Sequence, residues 1–260
     1  MMMLTAANLD EVPKLRHGFF TREGGVSDGV YASLNCGYNN DDDKTKVLAN
    51  RAIAMDRLGV PADSLTTVKQ VHGVIVRPFT EPSPGPSTTQ ADALLTDRPG
   101  ITLGVLSADC APVLLADPVV GVIGAAHAGW RGAHLGVVDE LVQAMVARGA
   151  DVGRMIGAIG PCIDKAFYEF GPDMRAACEA ADPDGLLLFE AKAGSDRFRF
   201  DLRAYVLSRL TRLGLENRLA LPEDTHGDER RFFSARRSRN RGEIGFGLLL
   251  SAIALDEGQS

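Results

Sequence analysis

Four short apolar runs follow one another in the middle of the chain: Ala91–Thr96, Ile101–Ser107, Pro112–Ala116 and Val119–Ala126. Each is too short to be a helix of its own, and turn residues separate each from the next. Polar residues do not alternate with apolar ones along them, so these strands must be covered on both faces. A chain organised around such a block needs a large core. With 260 residues, 45% of them hydrophobic, it buries roughly 70–75% of its unfolded surface and needs no disulfide staples.

The flanking segments supply the cover. Further strands are expected at His17–Thr21, Leu65–Val71, Val74–Phe79, Met155–Ile159, Phe198–Phe200, Arg218–Leu221, Arg231–Ala235 and Gly247–Leu255. Val47, Leu48, Ala52, Met55 and Leu58 recur at helical spacing behind an Asp43 cap, and Gly59-Val60-Pro61 ends that helix. Leu135, Val138, Leu141, Val142, Met145 and Val146 form a second apolar stripe that stops near Gly149. Helices are also expected over Gly171–Ala181, with Pro172 in its first turn, and after an Asp201 cap through Leu213. Arg22–Gly29 is a glycine-rich turn, and Glu81–Gln90, with three prolines, reads as a mobile loop beside the functional site. Strands outnumber helices without alternating regularly, so the expected fold is a mixed-sheet α/β or α+β domain spanning residues 1–260, not a doubly wound parallel sheet.

Composition removes several classes of function. The net charge is −6, and the one basic cluster, Arg230–Arg241, is too short for a nucleic-acid groove. No apolar run is long enough to span a bilayer, and the opening Met1–Leu4 gives way at once to Asn8, Asp10 and Glu11, unlike a secretory signal. Cys36, Cys110, Cys162 and Cys178 form no CxxC pair, which fits a reduced, cytoplasmic, monomeric protein. Cys36, Cys162 and Cys178 read as packing residues, and His134 and His226 as solvent-facing.

Three motifs carry chemistry: QVHG at 70–73, SADC at 107–110 and HAGWRG at 127–132. They provide His72, Cys110 and His127, each at or near the end of an apolar run. Two imidazoles and a thiolate are good zinc ligands, and three protein ligands leave the fourth tetrahedral position for a water whose pKa falls to ~7. Copper is a weaker alternative. Spacing alone leaves other uses open. Cys110 with a histidine could be a nucleophile–base pair, and either residue type could be structural. Asp109 could orient a histidine or shuttle a proton. Arg22, Lys69 and Arg131 are anion-binding candidates.

Taken in order, these motifs together with ADALLT (91–96), GAIGPCI (157–163), FDLR (200–203), FFSARR (232–237) and the opening HGFFTREGGVS and SLNCG resemble the YfiH-like family. That family was long labelled multicopper polyphenol oxidase or laccase-domain protein. The resemblance runs from about His17 to Leu255. It implies a single four-layer α/β/β/α domain with mixed sheets, and zinc bound by His72, Cys110 and His127. It implies phosphorolysis of adenosine, inosine, guanosine and methylthioadenosine, and deamination of adenosine. Asp109 then has a catalytic role, and Arg22, Asn35, Lys69, Asp92 and Arg131 are expected around a purine nucleoside and phosphate. Peptidoglycan-precursor editing by a Cys-His amidase, or a non-catalytic zinc-stabilised domain, are the alternatives. The chain departs from the family pattern at Asp224-Thr225, at Ala235 and at Gly247-Leu248-Leu249, where a closing Gly-Arg-Gln is usual. Five histidines are too few for a blue copper plus a three-copper cluster.

Overall fold

The computed structural model describes residues 2–38 and 40–256. In chain order its first half contains β1 (Met3–Leu4), α1 (Ala7–Asp10), β2 (Leu15–Phe20), α2 (Lys44–Leu58), β3 (Leu65–Thr66), β4 (Val76–Pro78), β5 (Ala93–Thr96), β6 (Thr102–Ser107), β7 (Ala111–Asp117) and β8 (Val122–Ala128). Its second half contains α3 (Trp130–Leu135), α4 (Val137–Val146), β9 (Ile156–Ile159), β10 (Glu169–Phe170), α5 (Pro172–Ala181), β11 (Phe189–Ala191), β12 (Phe198–Phe200), α6 (Leu202–Arg212), β13 (Asn217–Ala220), α7 (Ala235–Arg241) and β14 (Leu249–Leu255).

The four central apolar runs are divided between two mixed sheets. β7 pairs antiparallel with β8 and β9, β8 pairs antiparallel with β5, and the order is β13-β9-β7-β8-β5-β4. β6 leaves that sheet, pairing antiparallel with β14 and parallel with β3 in a second sheet of order β1-β2-β14-β6-β3. The period of two then sorts each strand's side chains. Leu94, Leu114, Ile123 and Ala125 meet Leu103, Val105 and Ile253 between the sheets. Their neighbours Leu95, Val113, Leu115 and Ala126 turn the other way, against Leu141 and Met145 of α4 and Val206 and Leu210 of α6. On the outer face of the second sheet, Ala54, Met55 and Leu58 of α2 cover Phe20, Leu106, Leu250 and Ala252. The layers are therefore α/β/β/α, as the resemblance implies. Each fully buried leucine in them contributes about 1.5–3 kcal/mol. A small sheet, β10-β12-β11, packs beside the α4–α6 layer.

Local chemistry fixes the helix ends. Asp43 caps α2 by accepting from the Thr45 N–H at 2.8 Å, and Gly59, at φ +80°, closes it from the left-handed region. The buried face of α2 keeps Val47, Met55 and Leu58 of the expected stripe but not the rest of it. Leu48 is exposed, while Asn50 and Arg51 turn inward, Asn50 to Ser27 and the Asn35 carbonyl, Arg51 to the Cys36 carbonyl. The second stripe is cut in two: Gly136, at φ +96°, separates α3 from α4, leaving Leu135 and Val146 exposed.

Other expectations are corrected. Arg231–Ala235 is not a strand. Phe232 and Phe233 are buried anchors, and Ser234 caps α7 by accepting from the Arg237 N–H at 3.1 Å. Only Leu65–Thr66 and Val76–Pro78 form strands within the two longer runs expected there, with Lys69 making an isolated bridge to Gln90. The proline-rich loop is at the wrong end to border the site. Pro82 and Pro84 line a cavity of about 430 Å³ with Thr102 and Ala254, which pair at the end of β6 and β14 remote from Ser107. His134 is buried, stacked on Tyr205 at 4.2 Å, because the helical turn of α3 points it inward, and His226 is half-buried against Phe167. Cys36, Cys162 and Cys178 are buried, and burial pushes each thiol up to about 12. Among the described residues no helix is long and apolar enough to cross a membrane.

Two buried histidines make the fold acid-sensitive. His17 accepts from the Ala6 N–H through Nε2 at 2.8 Å, so that nitrogen cannot carry a proton. His134 donates from Nδ1 to the Trp130 carbonyl, and its buried Nε2 has no partner among the described residues. Burial lowers both pKa values below the ordinary 6.5. The folded state thus binds these protons less readily than the unfolded chain, so this stability is complete above about 6.5 and is lost as pH falls below it. The urea midpoint is expected to drop between about pH 7 and 5. His134→Phe, which keeps the ring stack without the charge, should make that slope shallower. An unchanged slope would show that His134 does not titrate on unfolding.

Candidate functional site

The site is built around a carboxylate. Asp92, immediately before β5, is fully buried. Its Oδ1 accepts from the His72 N–H at 2.9 Å, and its Oδ2 accepts from the Gly73 N–H at 2.7 Å and the Val71 N–H at 3.2 Å. Three consecutive N–H groups can converge on one carboxylate because His72 is in the left-handed region, at φ +59°. The same Oδ1 accepts from Nδ1 of His127 at 3.0 Å. One side chain thereby sets the backbone under His72 and the tautomer of His127, leaving His127 Nε2 to face Cys110.

His127 comes from the end of β8, opposite Pro112 of β7. Cys110 lies in the turn entering β7, behind Asp109 at φ +92°. Left-handed backbone is unfavourable for residues other than glycine, and its occurrence at both His72 and Asp109 marks a site where geometry outweighs local preference. Asp109 is held by the Thr225 hydroxyl at 2.8 Å and the Arg236 N–H at 2.6 Å. Gly129 leaves the room: a Cβ there would lie 2.9 Å from Cys110 Sγ and 3.2 Å from His72 Cδ2. The ligand atoms of His72, Cys110 and His127 all lie within 4.8 Å of one another, and the two imidazoles meet edge-on at 4.8 Å.

The charges are coupled. Burial works against ionising Cys110, but His127 and His72 beside it bring the thiol down to about 7. Burial likewise opposes a charge on His127, yet Cys110 and Asp92 raise it to about 9. The thiolate and imidazolium forms thus stabilise each other. Replacing that proton by a cation needs only the two Nε2 or Nδ1 lone pairs and the sulfur, so the donor set fits a tetrahedral thiolate-tolerant ion with one open position. Asp92 behind His127 is the outer-shell partner such ligands use. A multicopper centre does not fit, because His17, His134 and His226 are each engaged elsewhere.

The cluster lies in a cavity of about 490 Å³, also lined by Tyr31, Gln70, Trp130, Tyr168, Arg236, Arg239, Phe246 and Leu248. Of the expected substrate contacts, several lie elsewhere. Lys69 is exposed, and its backbone bridges to Thr89 and Ala91; Gln70, the next residue, points into the cavity instead. Arg131 is exposed on α3, whereas its neighbour Trp130 lines the cavity. The Arg22 guanidinium stacks over Phe233 at 4.4 Å and donates to the Ala32 carbonyl. Asn35 is buried, accepting from the Gly37 and Leu248 N–H groups, and so positions Leu248 rather than opening onto the cavity. Asp92 is behind the histidines, with its oxygens occupied. Sequence reasoning missed Gln70, Tyr168, Arg236, Arg239 and Phe246. Arg236 and Arg239 had a signal, two arginines three apart within the basic cluster; Tyr168 had none.

The family described as multi-copper polyphenol oxidoreductase laccase matches residues 16–256. The chain belongs to this laccase-like YfiH family. Family members of known structure share the whole fold. A Neisseria meningitidis protein is 32% identical with a TM-score of 0.87, covering 98% of this chain and 100% of its own. YfiH from Bacillus licheniformis is 27% identical with a TM-score of 0.89, covering 98% and 97%. Among family relatives, a purine nucleoside phosphorylase of Streptomyces coelicolor is 39% identical over 235 residues, 90% of this chain and 95% of its own. One of Deinococcus radiodurans is 45% identical over 179 residues, 69% of this chain and 67% of its own. The family's copper label describes a donor count that this chain's histidines do not supply.

Proposed function

We propose that the protein is a zinc-dependent purine nucleoside phosphorylase working at His72, Cys110 and His127, with adenosine, inosine, guanosine and methylthioadenosine as substrates. The observation that carries the reading is the joining of this donor cluster, in one cavity, to an aromatic wall and two arginines. The relatives named purine nucleoside phosphorylase support it. Zinc, when bound, would supply Lewis acidity at the cavity floor. Trp130, Tyr168 and Phe246 offer ring faces and edges to a purine. Arg239 is exposed, and among the described residues its guanidinium has no partner, which leaves it free for a phosphate dianion. Arg236 adds positive charge while bound to the Phe167 and Glu169 carbonyls. Deamination at the same site has less support, because the carboxylates beside the cluster are already engaged, Asp92 by four hydrogen bonds and Asp109 by two.

A second reading has an observation of its own. Cys110, His127 and Asp92 form a nucleophile–base–orienter series, with the thiol lowered and the imidazole raised. That is the pattern of a metal-free cysteine amidase. Elemental analysis of the purified protein beside a nucleoside screen with and without phosphate separates the two. Zinc at one equivalent and phosphate-dependent release of base support phosphorolysis; phosphate-independent amide hydrolysis by metal-free protein would replace it.

Arg239 gives a sharper check. A charge-assisted hydrogen bond is worth about 1.5–3 kcal/mol, so Arg239→Ala should raise the phosphate KM roughly tenfold or more. The nucleoside KM should hardly move. Equal effects on both would place Arg239 outside the phosphate contact.

A further inference from the structure

Tyr168 stands in the cavity wall, between the basic helix α7 and the His-Cys-His cluster, and no motif marked it. Its ring is 8% exposed, packs edge-on against Phe170 at 4.6 Å, and has the Arg236 guanidinium 5.4 Å from its centroid. The backbone N–H of Trp130 faces its phenol oxygen. That N–H belongs to the first turn of α3, where no intrahelical partner exists. Among the described residues the hydroxyl has no protein acceptor for its own proton. Its O–H is thus left for whatever fills the cavity beside Cys110. Gln70, another neutral donor in the cavity wall, uses both ends of its amide on the Leu106 backbone, at 2.7 Å each.

We propose that Tyr168 is a catalytic hydrogen-bond donor to the departing purine, at N7, an assignment that rests on the phosphorylase reading above. In phosphorolysis a phosphate oxygen forms a bond to C1′ as the C1′–N9 bond breaks, and that electron pair moves into the purine. Negative charge spreads to N7, where the Tyr168 O–H donates. The proton of hydrogenphosphate ends on the released base, so the phenol keeps its own proton and no further reactant is required. A donor placed where charge develops acts on the transition state rather than on binding.

The test compares Tyr168→Phe with wild-type zinc-loaded protein on inosine and on 7-methylguanosine. Methylation of N7 removes the acceptor and lets the base leave uncharged. The substitution is expected to lower kcat/KM for inosine roughly 10²-fold, the usual scale for one such donor. It should leave turnover of 7-methylguanosine and the phosphate KM unchanged. Retained 7-methylguanosine turnover also shows that the variant is folded. Equal losses on both nucleosides, or no loss on either, overturn the assignment of Tyr168 while leaving phosphorolysis intact. Wild-type protein that phosphorolyses neither nucleoside overturns the functional reading, and this assignment with it.

Discussion

His72→Ala, Cys110→Ala and His127→Ala are each expected to lower kcat/KM on purine nucleosides by at least about 10³-fold, or about 4 kcal/mol of transition-state stabilisation. Each should also reduce bound zinc. A site with only three protein ligands has none to spare, and the remaining two hold the ion weakly. The fold should survive, because the cluster lies at strand ends and the apolar cores lie between the sheets and beneath the helices. His72 is exposed, so its loss opens no cavity. The amidase reading gives a different result: Cys110 and His127 essential, His72 much less so, and activity retained after chelation. Chelator-treated, zinc-free protein that keeps full activity on nucleosides would refute the zinc mechanism whatever the variants did.

How much of this was legible in the sequence depends on the range of the interaction. The strands from Ala93 to Ala128 were readable because a strand covered on both faces needs apolar side chains at every position. Nothing local says that β6 belongs to a different sheet from β5 and β7; that follows from its pairing with β14, far along the chain. The α2 stripe is legible only in part, because beside the buried Val47, Met55 and Leu58 the polar Asn50 and Arg51 are drawn inward by backbone carbonyls and side chains of the Ser27–Cys36 segment. Phe232 and Phe233 look like strand residues because β-propensity measures burial as much as extension. The chemistry was readable where one motif supplies one ligand, as with His72, Cys110 and His127. It was not readable where direction matters. Lys69 and Arg131 stand out in the sequence by their charge, yet Gln70 and Trp130, one residue away, line the cavity. Asp92 reads from the sequence as a substrate contact, since sequence cannot show that three N–H groups and an imidazole already converge on it.

That convergence makes Asp92 the residue whose loss should be felt furthest. Asp92→Asn changes almost no volume but exchanges one acceptor oxygen for an NH₂ donor. Four donors surround the carboxylate: the N–H groups of Val71, His72 and Gly73, and Nδ1 of His127. Whichever way the amide turns, its NH₂ faces at least one of them. A buried donor left without an acceptor costs about 1–3 kcal/mol, so the urea midpoint should fall measurably. The left-handed backbone at His72 loses part of what holds it, and His127 loses the negative partner that fixes its tautomer and helps raise its pKa. Losing such an outer partner lowers metal affinity about 10–100-fold. Competition with a chromophoric chelator should therefore show weaker zinc binding in Asp92→Asn even though His72, Cys110 and His127 are all present. Activity at saturating zinc should recover only in part, because extra metal restores occupancy but not the orientation of the imidazoles. Wild-type zinc affinity together with wild-type stability in Asp92→Asn would mean that the histidines are positioned by the strand ends alone.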